Sequence, residues 1–512
     1  MAFNTPSSAS WLNRNPPVAT GCASLKRHFF LFSTSSKSIT NTVFSYSYGP
    51  THSTRCSYSR RWLNPLRRKP LDQKPSPEIV RRWIDADPLP LVSQERFRIA
   101  SYNILGDKNA FKHIDLYSNV PLQYIKWSHR KRLICQELFG LSPDIICMQG
   151  RFLTISIVLK FETSGIYVYF CWYCKEEVDR YFDLFNVMEK AGYVGSYKRR
   201  TGDNVDGCAM FWKADSFRLL EEVSIEFKEF GLRDNVALIS VFETCRAKSR
   251  RLVVCNIHVL YNPNRGEVKL GQICLLSSRA QLISEKWGNV PVVLAGDFNC
   301  TPKSAIYKFL SSSELDIKLY NRRELSGQKT CHPSQVFGVK KETSNPLALI
   351  DRFLQSGWTD EEIKIATRNA ERHLAVHPLK LNSSYASVKG STKTRDSNGE
   401  PLATSYHSKF FGTVDYLWYS SGLVPTRVLD TLPVDILRRT GGLPCKKLGS
   451  DHLALVSEFA FLEGTDDNHG NNTTVDNHHG NNTTISTGGD VHTLLGELKR
   501  EDANSHWPTL FN

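Results

Sequence analysis

From Phe97 to Phe461 the chain is punctuated by short apolar runs of strand type, bounded by turn residues and separated by stretches of helical pattern. The clearest are FRIASYNIL (97–105), DIICMQ (144–149), GCAMFWK (207–213), RLVVCNIHVL (251–260), VPVVLAGDFN (290–299), TVDYLWYS (413–420) and HLALVSEFAF (452–461). Strands interleaved with helices predict an α/β fold. Two helices are signalled by caps: Ser128 before the basic run leading to Leu138, and Thr359 or Asp360 before Glu361 to Leu374. Nearly every strand also carries an acid, an amide or a histidine at one end. These are Asn103, His258, Asp297 with Asn299, Asp415, and Asp451 with His452. Each alone reads equally well as a turn former or a satisfied histidine. Together they predict a site, because strands of one sheet system deliver their ends to a common rim.

Charge adds little to that. Lys and Arg number 65 against 51 Asp and Glu, a net charge of +14, but ten of the basic residues lie between Met1 and Leu71, where there is no acid. The rest of the chain carries +4, so net charge is no argument for nucleic acid. The acid-free, Ser- and Arg-rich segment 1–71 has the composition of a chloroplast or mitochondrial transit peptide, or else of a disordered tail. Residues 72–95 read as a linker, 96–462 as the folded domain, and 463–512 as a polar, disordered tail in which DNHGNNTT is followed by DNHHGNNTT. Cys147, Cys255 and Cys300 sit in or beside apolar runs and are expected as buried free thiols. The pair Cys171 and Cys174 lacks a second pair at zinc-finger spacing. The most apolar stretch, Phe152 to Tyr173, is interrupted by Lys160 and Glu162, so no membrane span or membrane partner is expected.

The polar strand ends occur in the order N, Q, H, GDFN, DY, SDH. That order resembles the endonuclease/exonuclease/phosphatase superfamily. Within it, KRRTGDNVDGCAMFWK (198–213), NIHVLYNPNRGEVKLGQ (256–272) and GTVDYLWYS (412–420) are most similar to the carbon catabolite repressor protein 4 group of deadenylases, near its angel and nocturnin branches. The resemblance implies a four-layer α/β sandwich, two packed mixed sheets flanked by helices. It implies a metal-dependent 3′→5′ exoribonuclease that shortens the 3′ poly(A) of RNA and releases adenosine 5′-monophosphate. Glu177 would be the principal metal ligand, with Asn103 and Asp451 completing the metal environment. Asp297 would activate the attacking water, Asn299 would hold the water or the phosphate, and Asp415 would orient His452, which faces the phosphate together with His258. Asn262, Pro263 and Phe411 would hold the terminal adenine. Carboxylates and amides without a Cys or multi-His cluster favour one or two Mg²⁺, or Mn²⁺ in their place, over zinc. A nocturnin-like NADP(H) phosphatase and an organellar 2′-phosphodiesterase are the enzymatic alternatives. Family resemblance favours cytoplasm and nucleus, against the organelle suggested by the N-terminus. No leucine-rich repeat period precedes Phe97, so docking to the large deadenylase scaffold through such an array is not expected.

One motif is interrupted. The family pattern places Glu directly after Gln, but Gln149 is followed by Gly150, and Glu-Val-Asp-Arg-Tyr begins at Glu177. The 27 residues 150–176 include seven aromatic ones, and their removal restores MQEVDRYFDLF. The expected origin is a translated, retained intron, and the other reading is a family-specific loop. With Glu177 displaced, this form would be an inactive RNA-binding isoform unless the glutamate returns to its place.

Overall fold

The computed structural model describes residues 77–87, 92–150, 158–163, 166–171, 179–204, 206–246, 250–338 and 357–462. The segments 1–71 and 463–512 and the residue Glu177 lie outside the described residues. In chain order the strands are β1 Trp83–Asp85, β2 Val92–Asn103, β3 Ile145–Gly150, β4 Val158–Thr163, β5 Ile166–Cys171, β6 Tyr193–Arg199, β7 Gly207–Lys213, β8 Phe217–Glu226, β9 Val236–Thr244 and β10 Arg251–His258. They continue with β11 Val292–Asp297, β12 Glu314–Asp316, β13 Leu374–Val376, β14 Asn382–Ser383, β15 Ser405–His407, β16 Phe410–Gly412, β17 Asp415–Tyr419, β18 Leu423–Leu429 and β19 Leu455–Leu462. One sheet has the order β1-β18-β19-β2-β3-β7-β6 and another β14-β17-β11-β10-β9-β8. Both are mixed, with one parallel pair each, β2 with β3 and β10 with β11.

Side-chain alternation along these strands makes the layers. Ile99, Ile145, Cys147 and Met210 of the first sheet pack on Leu238, Phe242, Val254, Val293 and Leu417 of the second. The opposite face of the first sheet, with Ala100, Tyr102, Ile146 and Met148, is covered by Ile134 and Leu138 of the helix Trp127–Leu141 and by Leu184 and Met188 of the helix Asp179–Lys190. The outer face of the second sheet, with Ile239, Val253 and Cys255, packs on Leu270, Ile273 and Cys274 of the helix Gly266–Lys286. Helix, sheet, sheet, helix is the four-layer α/β sandwich that the resemblance implies, and Cys147, Cys255 and Cys300 are buried free thiols within it. No helix among the described residues is long and apolar enough to cross a membrane.

Polar side chains also cross the apolar space between the sheets. Gln149 donates through Nε2 to Asn256 Oδ1 at 2.8 Å, and Asn256 Nδ2 donates to the carbonyls of Met148 at 2.9 Å and Ala209 at 2.8 Å. A buried donor or acceptor that loses its partner costs about 1–3 kcal/mol. Asn256→Leu is therefore expected to lower unfolding free energy by about 2–4 kcal/mol, read from the denaturant midpoint, because it strands several such groups at once.

The structure corrects several expectations. Residues 72–95 are not merely a linker: β1 pairs with β18, and Trp83 lies between the guanidinium groups of Arg98 at 5.5 Å and Arg427 at 4.8 Å. Ser128 does not cap its helix, which already starts at Trp127 with Lys126 in the cap position. Thr359 is a true cap in a reciprocal capping box with Glu362, but that helix ends at Thr367, where Arg368 turns left-handed, rather than at Leu374. Leu374 instead begins β13. Within the insert, β4 and β5 pair with each other as an antiparallel hairpin and with neither large sheet.

Candidate active site

Strand register builds the site. Along the first parallel pair Asn103 stands opposite Gln149, and along the second His258 stands opposite Asp297. Strand β17 starts antiparallel at Asp415, opposite Asp297, and Asp451 and His452 immediately precede the last strand, which runs antiparallel to β2. Carboxyl ends and amino ends thereby meet on one rim. Gly296 makes the last turn of β11 possible: it has φ +153, and a Cβ there would come within 2.0 Å of the Ile257 carbonyl oxygen. Asn103, His258, Asp297, Asn299, Asp451 and His452 line one cavity of about 460 Å³.

Asp297 is at the centre. Its Oδ2 accepts from Asn103 Nδ2 at 3.1 Å and lies 3.5 Å from His258 Nε2 and 4.0 Å from His452 Nε2, and its Oδ1 accepts the Asn299 N–H at 2.9 Å. Asp415 holds His452 from behind, 2.8 Å from Nδ1, and is itself fixed by the Thr404 hydroxyl at 2.6 Å. This leaves His452 Nε2 directed towards Asn103, 3.4 Å away, and the cavity. Asp451 accepts from the Tyr117 hydroxyl at 2.8 Å, and Ser450 Oγ donates to the Asn103 carbonyl at 2.6 Å.

Burial and like charge set the protonation states. Burial, then the neighbouring Asp415, raises Asp297 above the ordinary carboxylate range, against His258 and His452. Burial lowers His258, with Asp297 and Asp206 opposing it. Burial would also strip His452, but Asp415, Asp451 and Asp297 outweigh it and push His452 up to about 10. Asp415→Asn removes the largest of those attractions. The His452 imidazole is thus expected to lose its proton at lower pH in that variant, as followed by the pH dependence of its C–H resonances.

The donor set suits a hard divalent ion. Ligand atoms of Asp297, Asp415 and His452 lie within 4.8 Å of one another; Asp415 Oδ2 is committed to Thr404 and His452, while its Oδ1 is buried without a hydrogen-bond partner. Of the residues that line the cavity, Asp297, Asp451 and Asn103 could turn an oxygen to an ion, the last while also accepting the Leu105 N–H at 3.1 Å. Among the described residues, neither Asp297 nor Asp451 has a Lys or Arg ion pair, and the His452 imidazolium is shared among Asp415, Asp451 and Asp297, which leaves room for a divalent cation among them. Glu177, expected as the principal ligand, lies outside the described residues, and Gly150 lines the cavity at the position where the family pattern has Glu.

The expected adenine-holding residues are placed differently. Phe411 is 2% exposed and turned into the core, with ring contacts to Phe337 at 4.9 Å and Tyr406 at 5.2 Å. Alternation along β16 gives the cavity Phe410 instead. Asn262 spends its side chain on the Asn264 N–H at 2.9 Å, and it is the neighbouring Tyr261, 56% exposed, that reaches the cavity rather than Asn262 or Pro263. Tyr117, Thr404 and Gln328 were not singled out from the sequence, which carries no local mark of their partners.

A family model described as the Endonuclease/Exonuclease/phosphatase family matches residues 100–452. Carbon catabolite repressor protein 4 homolog 3 of Arabidopsis thaliana is 59% identical over 416 residues, 80% of this chain and 86% of that protein. The CCR4-Not complex 3′-5′-exoribonuclease subunit Ccr4 of Yarrowia lipolytica is 26% identical over 407 residues, 72% of this chain and 48% of that protein. Among solved structures, that of ANGEL2, a 2′,3′-cyclic phosphatase, in complex with adenosine-2′,3′-vanadate, is similar with a TM-score of 0.56 at 26% identity, over 75% of this chain and 99% of that one. On the strength of that matched span and that identity, the chain belongs to the endonuclease/exonuclease/phosphatase family, in its carbon catabolite repressor protein 4 branch.

Proposed function

We propose that the chain is a metal-dependent 3′→5′ exoribonuclease that shortens poly(A) and releases adenosine 5′-monophosphate, with Mg²⁺, or Mn²⁺ in its place, held by Asp297, Asp451 and Asn103 and, once returned to the rim, Glu177. The observation that carries this reading is the buried contact set of Asp297, His452 and Asn103 on the wall of one cavity that Tyr261 and Phe410 also line, with Asp415 holding His452 from behind. The exoribonuclease name of the Yarrowia relative supports it. The ion would neutralise the scissile phosphate and the departing 3′ oxygen. Asp297 takes a proton from the water whose oxygen attacks phosphorus. His452, kept protonated and oriented by Asp415, donates Nε2–H to a phosphoryl oxygen as it gains charge, and His258 adds a second donor. The bond from phosphorus to the 3′ oxygen breaks, and that oxygen takes a proton from solvent. Tyr261 and Phe410 offer ring faces to the terminal base.

The similarity to ANGEL2 favours a second reading, opening of a 2′,3′-cyclic phosphate by the same water and the same donors. Parallel assays on oligo(A), oligo(U), an oligonucleotide ending in a 2′,3′-cyclic phosphate, and NADPH separate the readings. The expected result is a ladder of shortened oligo(A) with adenosine 5′-monophosphate released, lost on chelation of the metal. Turnover of the cyclic phosphate alone would move the assignment to the second reading, and turnover of NADPH alone would overturn both.

A further inference from the structure

Asn299 is the most constrained residue of the cavity wall. It is buried, and it holds a left-handed backbone, φ +49, without being glycine. Its side-chain amide is bonded at both ends: Nδ2 donates to the Val259 carbonyl at 2.9 Å, and Oδ1 accepts from Gln328 Nε2 at 3.1 Å. Behind it lies Lys269, fully buried on the helix Gly266–Lys286. Lys269 Nζ donates to the Asn299 carbonyl at 2.7 Å, to Gln328 Oε1, and to the Tyr261 carbonyl at 3.4 Å. Its three protons thus meet three acceptors. Burial pushes this amine down to about 7, against Cys300 and Asp297, yet acceptors on every side are the surroundings of an ammonium.

An amide can turn either end towards a neighbour, and the neighbours decide which. An ammonium only donates, so Gln328 must show it oxygen, and the Ser326 hydroxyl donates to that same oxygen at 3.1 Å. Gln328 therefore turns its NH₂ towards Asn299, which must answer with oxygen. At the far end of Asn299 a backbone carbonyl only accepts, which demands the same orientation. One hydrogen of the Asn299 amide goes to Val259, and the second is left for the cavity that Asn299 lines.

We propose that Lys269 is a positioning residue that fixes the polarity of the Gln328–Asn299 amide chain, so that Asn299 presents a hydrogen-bond donor, and not a carbonyl oxygen, to a phosphate in the cavity. The same ammonium ties together the turn at Tyr261, the loop after β11 and the loop at Gln328, and so holds the left-handed turn whose N–H orients Asp297. The proposal rests on the reading that the cavity takes a phosphate, and it is indifferent to which phosphate ester is the substrate. Inorganic phosphate titrated calorimetrically into the full-length protein tests it, with thermal unfolding followed in parallel. Lys269→Met and Gln328→Met are each expected to weaken phosphate by about tenfold or more, while Lys269→Arg, whose head also only donates, stays within about threefold of wild type. Gln328 is half-buried on the cavity wall, so Gln328→Met is expected to fold, with a melting temperature lowered by the partners that Lys269, Ser326 and Asn299 lose, and it decides the matter even if a Lys269 variant does not fold. Equal phosphate affinity in wild type and Gln328→Met, or no phosphate binding by wild type, would overturn the proposal. A protein that fails to shorten oligo(A) yet shows these differences would sink the exonuclease reading and leave this one standing.

Discussion

A protein lacking residues 150–176, with Gln149 joined to Glu177, is expected to hydrolyse oligo(A) at least ~10²-fold faster than the full chain, because a misplacement of about 1 Å at a catalytic group can already cost that much. The site explains why. Strand β3 delivers Gly150 to the cavity wall, one residue beyond the level at which Gln149 stands opposite Asn103. A glutamate in that place would add a carboxylate to the cavity that Asn103, Asp297 and Asp451 line. The rejoined backbone must also rotate, since Gly150 has φ +134, which side-chain-bearing residues rarely adopt. Its Cβ would lie 3.2 Å from Ile104 Cγ1, a contact that a small shift relieves. The shortened protein is further expected to stay soluble at higher concentration, with seven aromatic residues gone. Equal rates and equal solubility for both forms would make the insert an ordinary tolerated loop and remove the retained-intron reading.

Replacing the central carboxylate is expected to have the next largest effect. Asp297→Asn keeps the shape, but its one oxygen can accept from Asn103 or from the Asn299 N–H and not from both, and it cannot take a proton, so single-turnover cleavage of labelled oligo(A) should slow by ~10²–10⁴-fold. His452→Ala should slow it by ~10²–10³-fold through loss of a donor to the charged phosphate. The double variant should be little slower than Asp297→Asn, since groups that act as a unit are not additive. Both substitutions are best compared in the full and the shortened protein, so that an already slow full chain does not hide them. An Asp297→Asn protein within tenfold of its parent would show that the water finds its base elsewhere.

Much of the sandwich is visible in the sequence, because an apolar run ending in a polar residue is a local signal. The strand at 207–213 has the bounds expected of it, and Asn103, His258, Asp297 and His452 all reach one cavity. What depends on partners far away in sequence is not visible. Phe410 and Phe411 are identical residues in adjacent positions, and only the antiparallel pairing of β15 with β16 decides which ring enters the core. Lys269 reads as one more cation on a helix until the fold brings Asn299 and Gln328 to its ammonium. Tyr117 is 334 residues from the Asp451 carboxylate it steadies. The helix expected to run to Leu374 stops at Thr367 because Arg368 takes a left-handed turn, a conformation that nothing in its residue type requires. The mixed Pro and charge composition before β2 reads as a linker, and nothing local shows that Trp83 meets two arginines, one from β2 and one from β18.

The order of strands in the larger sheet also bears on how the protein is made. Among the described residues the last strand to leave the ribosome, β19, lies in the interior of its sheet, hydrogen-bonded between β18 and β2. Until it arrives, β2 and β18 present open edges, and the apolar face that Leu455 and Phe459 complete is unsealed. Asp451 and His452 arrive with it. A nascent chain therefore has neither a closed core nor a working site until its C-terminal strand is free of the exit tunnel. A chain built this way completes its candidate site only once β19 has been made and released.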